Sequence, residues 1–123
     1  MIISRVYPYL IIELLEGQIV EKAYVDTGFE GFLFLPEEYE KILGKGDAPM
    51  RLTLAGNKIE WGSVYYNRKV KVYGIQKDGS KDNGMEKRGE IICYGKGSYL
   101  IGRKFLDEFR VYLDKNIEMT IMP

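Results

Sequence analysis

The sequence predicts a single all-β domain, and three observations carry that reading. Short apolar segments alternate with polar positions and are cut by Gly, Asn and Asp turns at the spacing of a barrel or a sandwich. A chain of 123 residues with 46% apolar and 29% charged side chains can bury one core, which excludes a disordered chain and leaves no room for a second domain, so the domain spans 1–123. Helical patterning is confined to "EEYEKIL" and "RKFLDEF", which predicts one or two short helices.

In chain order, Arg5 to Leu15 and Gln18 to Val25 flank a Glu16-Gly17 turn and form a first hairpin. Val25 leads into Asp26-Thr27-Gly28, and "GFLFLP" resumes an extended apolar run. Pro36 is placed to start the helix through "EEYEKIL", which Gly44 stops. "RLTLAGNKIEWG" predicts a hairpin turning at Ala55-Gly56-Asn57-Lys58, and "SVYYNRKVKVYGI" another turning at Asn67-Arg68. The polar, Gly-rich stretch from Lys77 to Gly89 is expected as an exposed loop, after which "EIICY" returns to the core. Tyr99-Leu100-Ile101-Gly102 leads into the second helix, and "RVYLDKNIEMTIM" closes the chain as a hairpin around Lys115-Asn116.

Composition narrows the chemistry. Eighteen basic against 18 acidic side chains give no net field that would call for nucleic acid or an acidic membrane surface. No apolar stretch reaches the roughly 18 residues of a spanning helix. Arg5 and Pro8 break the apolar N-terminus, and no small-residue cleavage site follows, so it reads as mature structure. Cys93 is the sole cysteine, which points to a reducing, cytoplasmic compartment. There is no His, which removes Ser-His and Cys-His nucleophiles and the commonest zinc ligand. Acid/base work then falls to carboxylates, with no metal or cofactor expected.

Two motifs stand out together, "VDTGFEG" and "LIGRKFL". Asp-Thr-Gly alone also has an explanation as turn chemistry between strands. Their order and content, however, resemble the retropepsin-like aspartic proteases, in which a hydrophobic-Asp-Thr-Gly loop is followed by a hydrophobic-hydrophobic-Gly motif opening a helix. The resemblance runs over roughly Gln18 to Asp114 and is closest to small prokaryotic members, which often carry Asp-Thr-Gly-Phe-x-Gly with a Leu-Pro a few residues later.

That resemblance implies a closed acid-protease barrel and an aspartic endopeptidase in which two carboxylates share one proton. Asp26 would supply the carboxylate, Thr27 would hydrogen-bond across to a partner loop, and Gly28 would let backbone and substrate approach. With one Asp-Thr-Gly per chain, the enzyme requires a homodimer. Strands at the N-terminus and the C-terminal hairpin, such as "YLIIELL" and "EMTIM", are candidates for its dimer sheet, or else they form the outer layer of the monomer's own barrel. A peptide or protein is the implied substrate.

The hairpin at Ala55, Gly56 and Asn57 matches the family's flap in position, although Asn and Gly are also what an ordinary hairpin turn demands. Trp61, the only Trp, has places beneath this hairpin or lining a substrate pocket, and burial in the core is the simpler expectation. The resemblance also pairs Glu30, four positions after Asp26, with Arg103, directly after Gly102; two solvated surface charges would leave the same sequence. Phe29 departs from the small residue usual in retroviral enzymes, which puts transfer of substrate preference in doubt. Two further readings stand beside the enzyme. One is a catalytically weak or inactive dimeric peptide-binding or scaffold module on the same fold; the other takes "VYYNRKVKVYG" as a single-strand nucleic-acid platform, against which overall neutrality argues.

Overall fold

Alternation in the sequence becomes ten strands and two short helices in the computed structural model, which describes residues 1–14, 19–114 and 117–123. They are β1 (Ile2–Ser4), β2 (Tyr9–Leu14), β3 (Ile19–Val25), β4 (Leu33–Leu35), α1 (Glu40–Leu43), β5 (Ala48–Thr53), β6 (Ile59–Ile75), β7 (Lys81–Cys93), β8 (Leu100–Ile101), α2 (Arg103–Leu106), β9 (Arg110–Asp114) and β10 (Glu118–Met122). Pairing runs β2-β3-β8-β4-β7-β6 and returns from β6 to β2, closing a barrel of six strands. The β3–β8 and β4–β7 pairs are parallel, so two chain crossovers bring β8 between β3 and β4. Outside the barrel, β5 extends β6, and β1, β10 and β9 form a separate three-stranded sheet in that order. Among the described residues, no helix is long and apolar enough to cross a membrane.

Alternation decides which side chains enter the core. Leu10, Ile12 and Leu14 of β2 are buried, and they join Val70, Val72, Ile91 and Phe105 in one cluster that also takes Met119 and Ile121 from β10. The small sheet is therefore part of the same core as the barrel. Phe32 meets Phe105 edge-on at 6.0 Å between ring centroids, fixing α2 against the loop that follows β3. Pro36 does precede a helical segment, a 3-10 turn at Glu37–Tyr39 running into α1, and Gly44 ends it with φ of 81°. The Tyr65 hydroxyl donates to the Gly44 carbonyl at 2.7 Å, tying that helix end to β6.

Several expectations are corrected. Asn67-Arg68 is no hairpin turn: β6 runs straight through as one strand of 17 residues. Its register against β7 jumps between Tyr65 and Arg68, and Asn67 takes φ of 52°, which is a β-bulge. Ahead of the bulge β6 pairs with β5, and beyond it with β2, so the bulge redirects one strand from the outer hairpin into the barrel. The stretch from Lys77 to Gly89 is no loop either, because only 76–80 turn and β7 starts at Lys81. Cross-strand charge replaces apolar alternation there, with Lys69 at 3.1 Å and Lys71 at 3.8 Å from Glu86. At Gly89 an added Cβ would lie 2.4 Å from the Phe32 ring, so the glycine makes room for that aromatic.

The first hairpin begins at Tyr9 rather than Arg5, since 5–8 form a turn, and α2 is shorter than "RKFLDEF". Trp61 is 61% exposed rather than in the core. The turns expected at Glu16-Gly17 and Lys115-Asn116 lie outside the described residues. Neither β2, from "YLIIELL", nor β10, from "EMTIM", has a free edge: β2 lies between β3 and β6, and β10 between β1 and β9. Both belong to the monomer.

Two predictions follow from this packing. Ile121 is 0% exposed, so Ile121→Asp would bury an unpaired carboxylate at a cost of more than about 4 kcal/mol and unfold the chain, which a circular dichroism melt reads directly. Burial, and then the nearby Glu40 carboxylate, pushes the Cys93 thiol from 9.0 up to about 12. Burial likewise raises the Tyr65 phenol from 10.0 to about 12. Both groups keep their protons in the folded state at pH values where the unfolded chain loses them. Stability is therefore fully present below pH 9 and falls as pH rises toward 12. Urea unfolding of Cys93→Val across pH 8 to roughly 10 is expected to show a shallower decline than the wild type.

Candidate active site around Asp26

The Asp26 loop is held by backbone hydrogen bonds from both sides. Tyr24 donates its N–H to the Tyr99 carbonyl at 2.8 Å, Val25 to Pro8 at 2.9 Å, and Asp26 to Ile101 at 2.9 Å. Strand β3 thus ends where β8 ends, and Asp26 emerges half-buried at the barrel rim. The chain then turns sharply: the Phe29 N–H reaches the Asp26 carbonyl at 3.1 Å, and the Gly28 N–H reaches the Asp26 Oδ1 at 2.8 Å. A carboxylate that accepts a backbone N–H two residues on is fixed in direction by its own loop. An added Cβ at Gly28 would stand 3.2 Å from that same oxygen and crowd the bond.

The motif at the other end of the chain completes the arrangement. The first N–H groups of a helix have no partner within it, and here the loop after Asp26 supplies them. Gly102 donates to the Phe32 carbonyl at 3.1 Å, Arg103 to Phe29 at 2.8 Å and Lys104 to Gly31 at 3.0 Å. The approach is so close that an added Cβ on Gly102 would lie 2.3 Å from the Gly31 carbonyl oxygen and 2.5 Å from that of Phe29. Phe29 itself packs edge-on against Phe34, 5.9 Å between centroids, so the large side chain after the Gly is accommodated on the face of β4 opposite the buried Leu33 and Leu35. Glu30 and Arg103 form an ion pair at 3.0 Å, but the Glu30 side chain is 84% exposed. Such a pair contributes less than the backbone bonds beside it.

Asp26, Thr27, Gly28, Glu30, Gly102 and Arg103 therefore meet in one place. Ala55, Gly56 and Asn57 do not join them: they form the exposed tip of the β5–β6 hairpin and share no hydrogen bond or ion pair with the Asp26 loop among the described residues. Gly56 at φ 76° and Asn57 at φ 61° both sit in the left-handed region, which is why these residue types occupy the tip. Thr27 is exposed, and its hydroxyl makes no hydrogen bond among the described residues. It borders a hollow of about 390 Å³ whose apolar walls include Val25, Leu106, Phe109, Val111 and Leu113. Val111 and Leu113 were not singled out in the sequence, where the alternation of "RVYLD" is indistinguishable from that of any half-buried strand.

No metal-holding group of three or more His, Cys, Asp or Glu side chains occurs among the described residues. The "VYYNRKVKVYG" face carries no unpaired basic stripe: Arg68 lies 3.6 Å from Asp47, Lys69 and Lys71 lie against Glu86, and Tyr65 is buried. In comparisons with known proteins, the chain matches no family model and no curated protein.

Backbone atoms cannot yield as flexible side chains do, so Gly102→Ala is expected to cost about 3 kcal/mol. Glu30→Gln, at an exposed ion pair, is expected to cost less than about 1 kcal/mol. Urea denaturation midpoints of the two variants would separate backbone from ion-pair support; equal losses would contradict the assignment.

Proposed function

We propose that the protein is a homodimeric aspartic endopeptidase in which Asp26 from each of two identical subunits forms the catalytic dyad. The observation that carries this reading is the convergence of the sole Asp-Thr-Gly with Ile101-Gly102, the two motifs that resemble the retropepsin-like proteases, at the rim of a closed six-stranded barrel. Two carboxylates brought together cannot both ionise easily, so they share a proton. The ionised Asp26 takes a proton from a water molecule as that water attacks the scissile carbonyl carbon; the protonated one donates to the carbonyl oxygen. Collapse of the tetrahedral intermediate returns a proton to the leaving amine. Asp26 Oδ1 is oriented by the Gly28 N–H, which leaves the other oxygen free for this exchange. Thr27 is exposed with a hydroxyl unused among the described residues, and in the dimer it would bond across the twofold axis. The exposed 55–57 hairpin serves as the flap, holding an extended peptide and excluding water.

The second reading, a catalytically weak or inactive peptide-binding or scaffold module on the same fold, draws on Ile59 and Trp61, which lie exposed on the hairpin as an apolar face suited to holding a peptide. Digestion of a diverse peptide library between roughly pH 3 and 7, read by mass spectrometry with Asp26→Asn in parallel, separates the two. The expected outcome is cleavage that Asp26→Asn abolishes. Cleavage that persists in the variant would end the dyad mechanism, and peptide binding without cleavage by either protein would select the module.

A further inference from the structure

The three-stranded sheet has two outer edges, and they differ. At β1 the barrel closes in: the Arg5 N–H donates to the Ile75 carbonyl at 2.7 Å, and an added Cβ on Gly74 would lie 2.0 Å from the Ile3 carbonyl oxygen. At β9 no described strand pairs with the outer edge, which leaves backbone N–H and C=O groups open. Its side chains are exposed as well, Tyr112 at 55% and Leu113 at 50%. The strand reads Arg110-Val111-Tyr112-Leu113-Asp114, with opposite charges at its two ends. Neither Arg110 nor Asp114 forms an ion pair among the described residues. Within the monomer, Asp114 stands opposite Glu118, a like-charge neighbour.

We propose that β9 is the seam of the homodimer, pairing antiparallel with β9 of a second copy about a twofold axis through Tyr112. In that register Arg110 lies opposite the partner's Asp114, Asp114 opposite the partner's Arg110, and Val111 opposite the partner's Leu113. The strand is complementary to its own reverse in both charge and apolar content, which is what a twofold interface demands. Two three-stranded sheets then become one of six strands, ordered β1-β10-β9-β9-β10-β1. Val111 and Leu113 share their hollow with Val25 and Thr27, the neighbours of Asp26, so a copy seated on β9 covers the hollow and faces the Asp26 loop. The seam rests on the peptidase reading for its functional meaning, since that reading needs a second Asp26.

Sedimentation velocity over a concentration series tests it, using the full chain. Wild type is expected to dimerise. Arg110→Glu and Asp114→Arg each place like charges opposite one another twice per dimer and should weaken association by about tenfold or more. The double variant Arg110→Glu/Asp114→Arg restores complementarity and should recover most of the loss. Both positions are exposed, and circular dichroism verifies the fold of all three variants. Tyr112→Cys should form a disulfide-linked dimer on mild oxidation, because directly opposed strand residues lie about 4.5–5.5 Å apart at Cα, within disulfide reach. Wild type, whose only cysteine is the buried Cys93, should not. A monomeric wild type, a dimer indifferent to the charge reversals, a double variant as weak as the singles, or Tyr112→Cys without cross-linking would each overturn the seam, whatever the peptidase activity. A dimer that behaves as expected but cuts no peptide would leave the seam in place and remove the peptidase reading.

Discussion

The backbone stitching between the Asp26 loop and the start of α2 is the constraint on which the rest of this site depends. Asp26 donates to Ile101, and Gly102, Arg103 and Lys104 donate to three carbonyls of the loop that follows Asp26. Each segment satisfies polar groups that the other would otherwise bury without partners, and an unmet buried N–H or C=O costs about as much as several good contacts contribute. The two segments are 75 positions apart in the chain, counting Asp26 to Ile101. Each holds the other in place. Gly102 follows from this contact, because two carbonyl oxygens occupy the space of its missing side chain. The Glu30–Arg103 pair lies on the outside of the same contact and reinforces it from solvent.

Barrel closure supplies the rigid frame. Strand β8 is only two residues long, yet it pairs with β3 on one side and β4 on the other, which locks Leu100 and Ile101 at the rim. Strand β6 performs two tasks, and the bulge at Asn67 separates them: the outer half builds the hairpin with β5, and the inner half closes the barrel with β2. A site carried on such a frame is positioned by strands rather than by loop side chains. The hairpin tip, exposed and turned by two left-handed residues, stands outside that frame.

How much of this could be read in the sequence follows from how local each signal is. The alternation of β2, the Pro36 start and Gly44 stop of the helical segment, and the turn at Ala55-Gly56-Asn57 depend on neighbours in the chain, and these were legible. The convergence of Glu30 with Arg103 was legible only through resemblance, since nothing local distinguishes paired surface charges from solvated ones. Asn67-Arg68 misled because a left-handed Asn serves a bulge as readily as a turn, and the choice is made by the partner strands. Residues 81–89 misled because their strand is stabilised by ion pairs and by aromatic rings lying over glycines, neither of which leaves an apolar period. Burial is the ordinary expectation for an aromatic side chain such as Trp61, but its position on β6 lies ahead of the bulge, in the half that leaves the barrel.

The small sheet divides folding from association along a single hairpin. Strand β10 commits Met119 and Ile121 to the core, so any change there is felt first as lost stability. Strand β9 commits little, and its exposed edge would be a liability if any strand could add to it. Its terminal charges restrict what can. A parallel copy would set Arg110 against Arg110, and a slip of one residue would turn the apolar side chains to the wrong face and unmatch both ion pairs. Only the antiparallel register centred on Tyr112 satisfies both ends, and it uses up the edge in doing so. An association limited in this way stops at two, the number of carboxylates that the proposed chemistry requires.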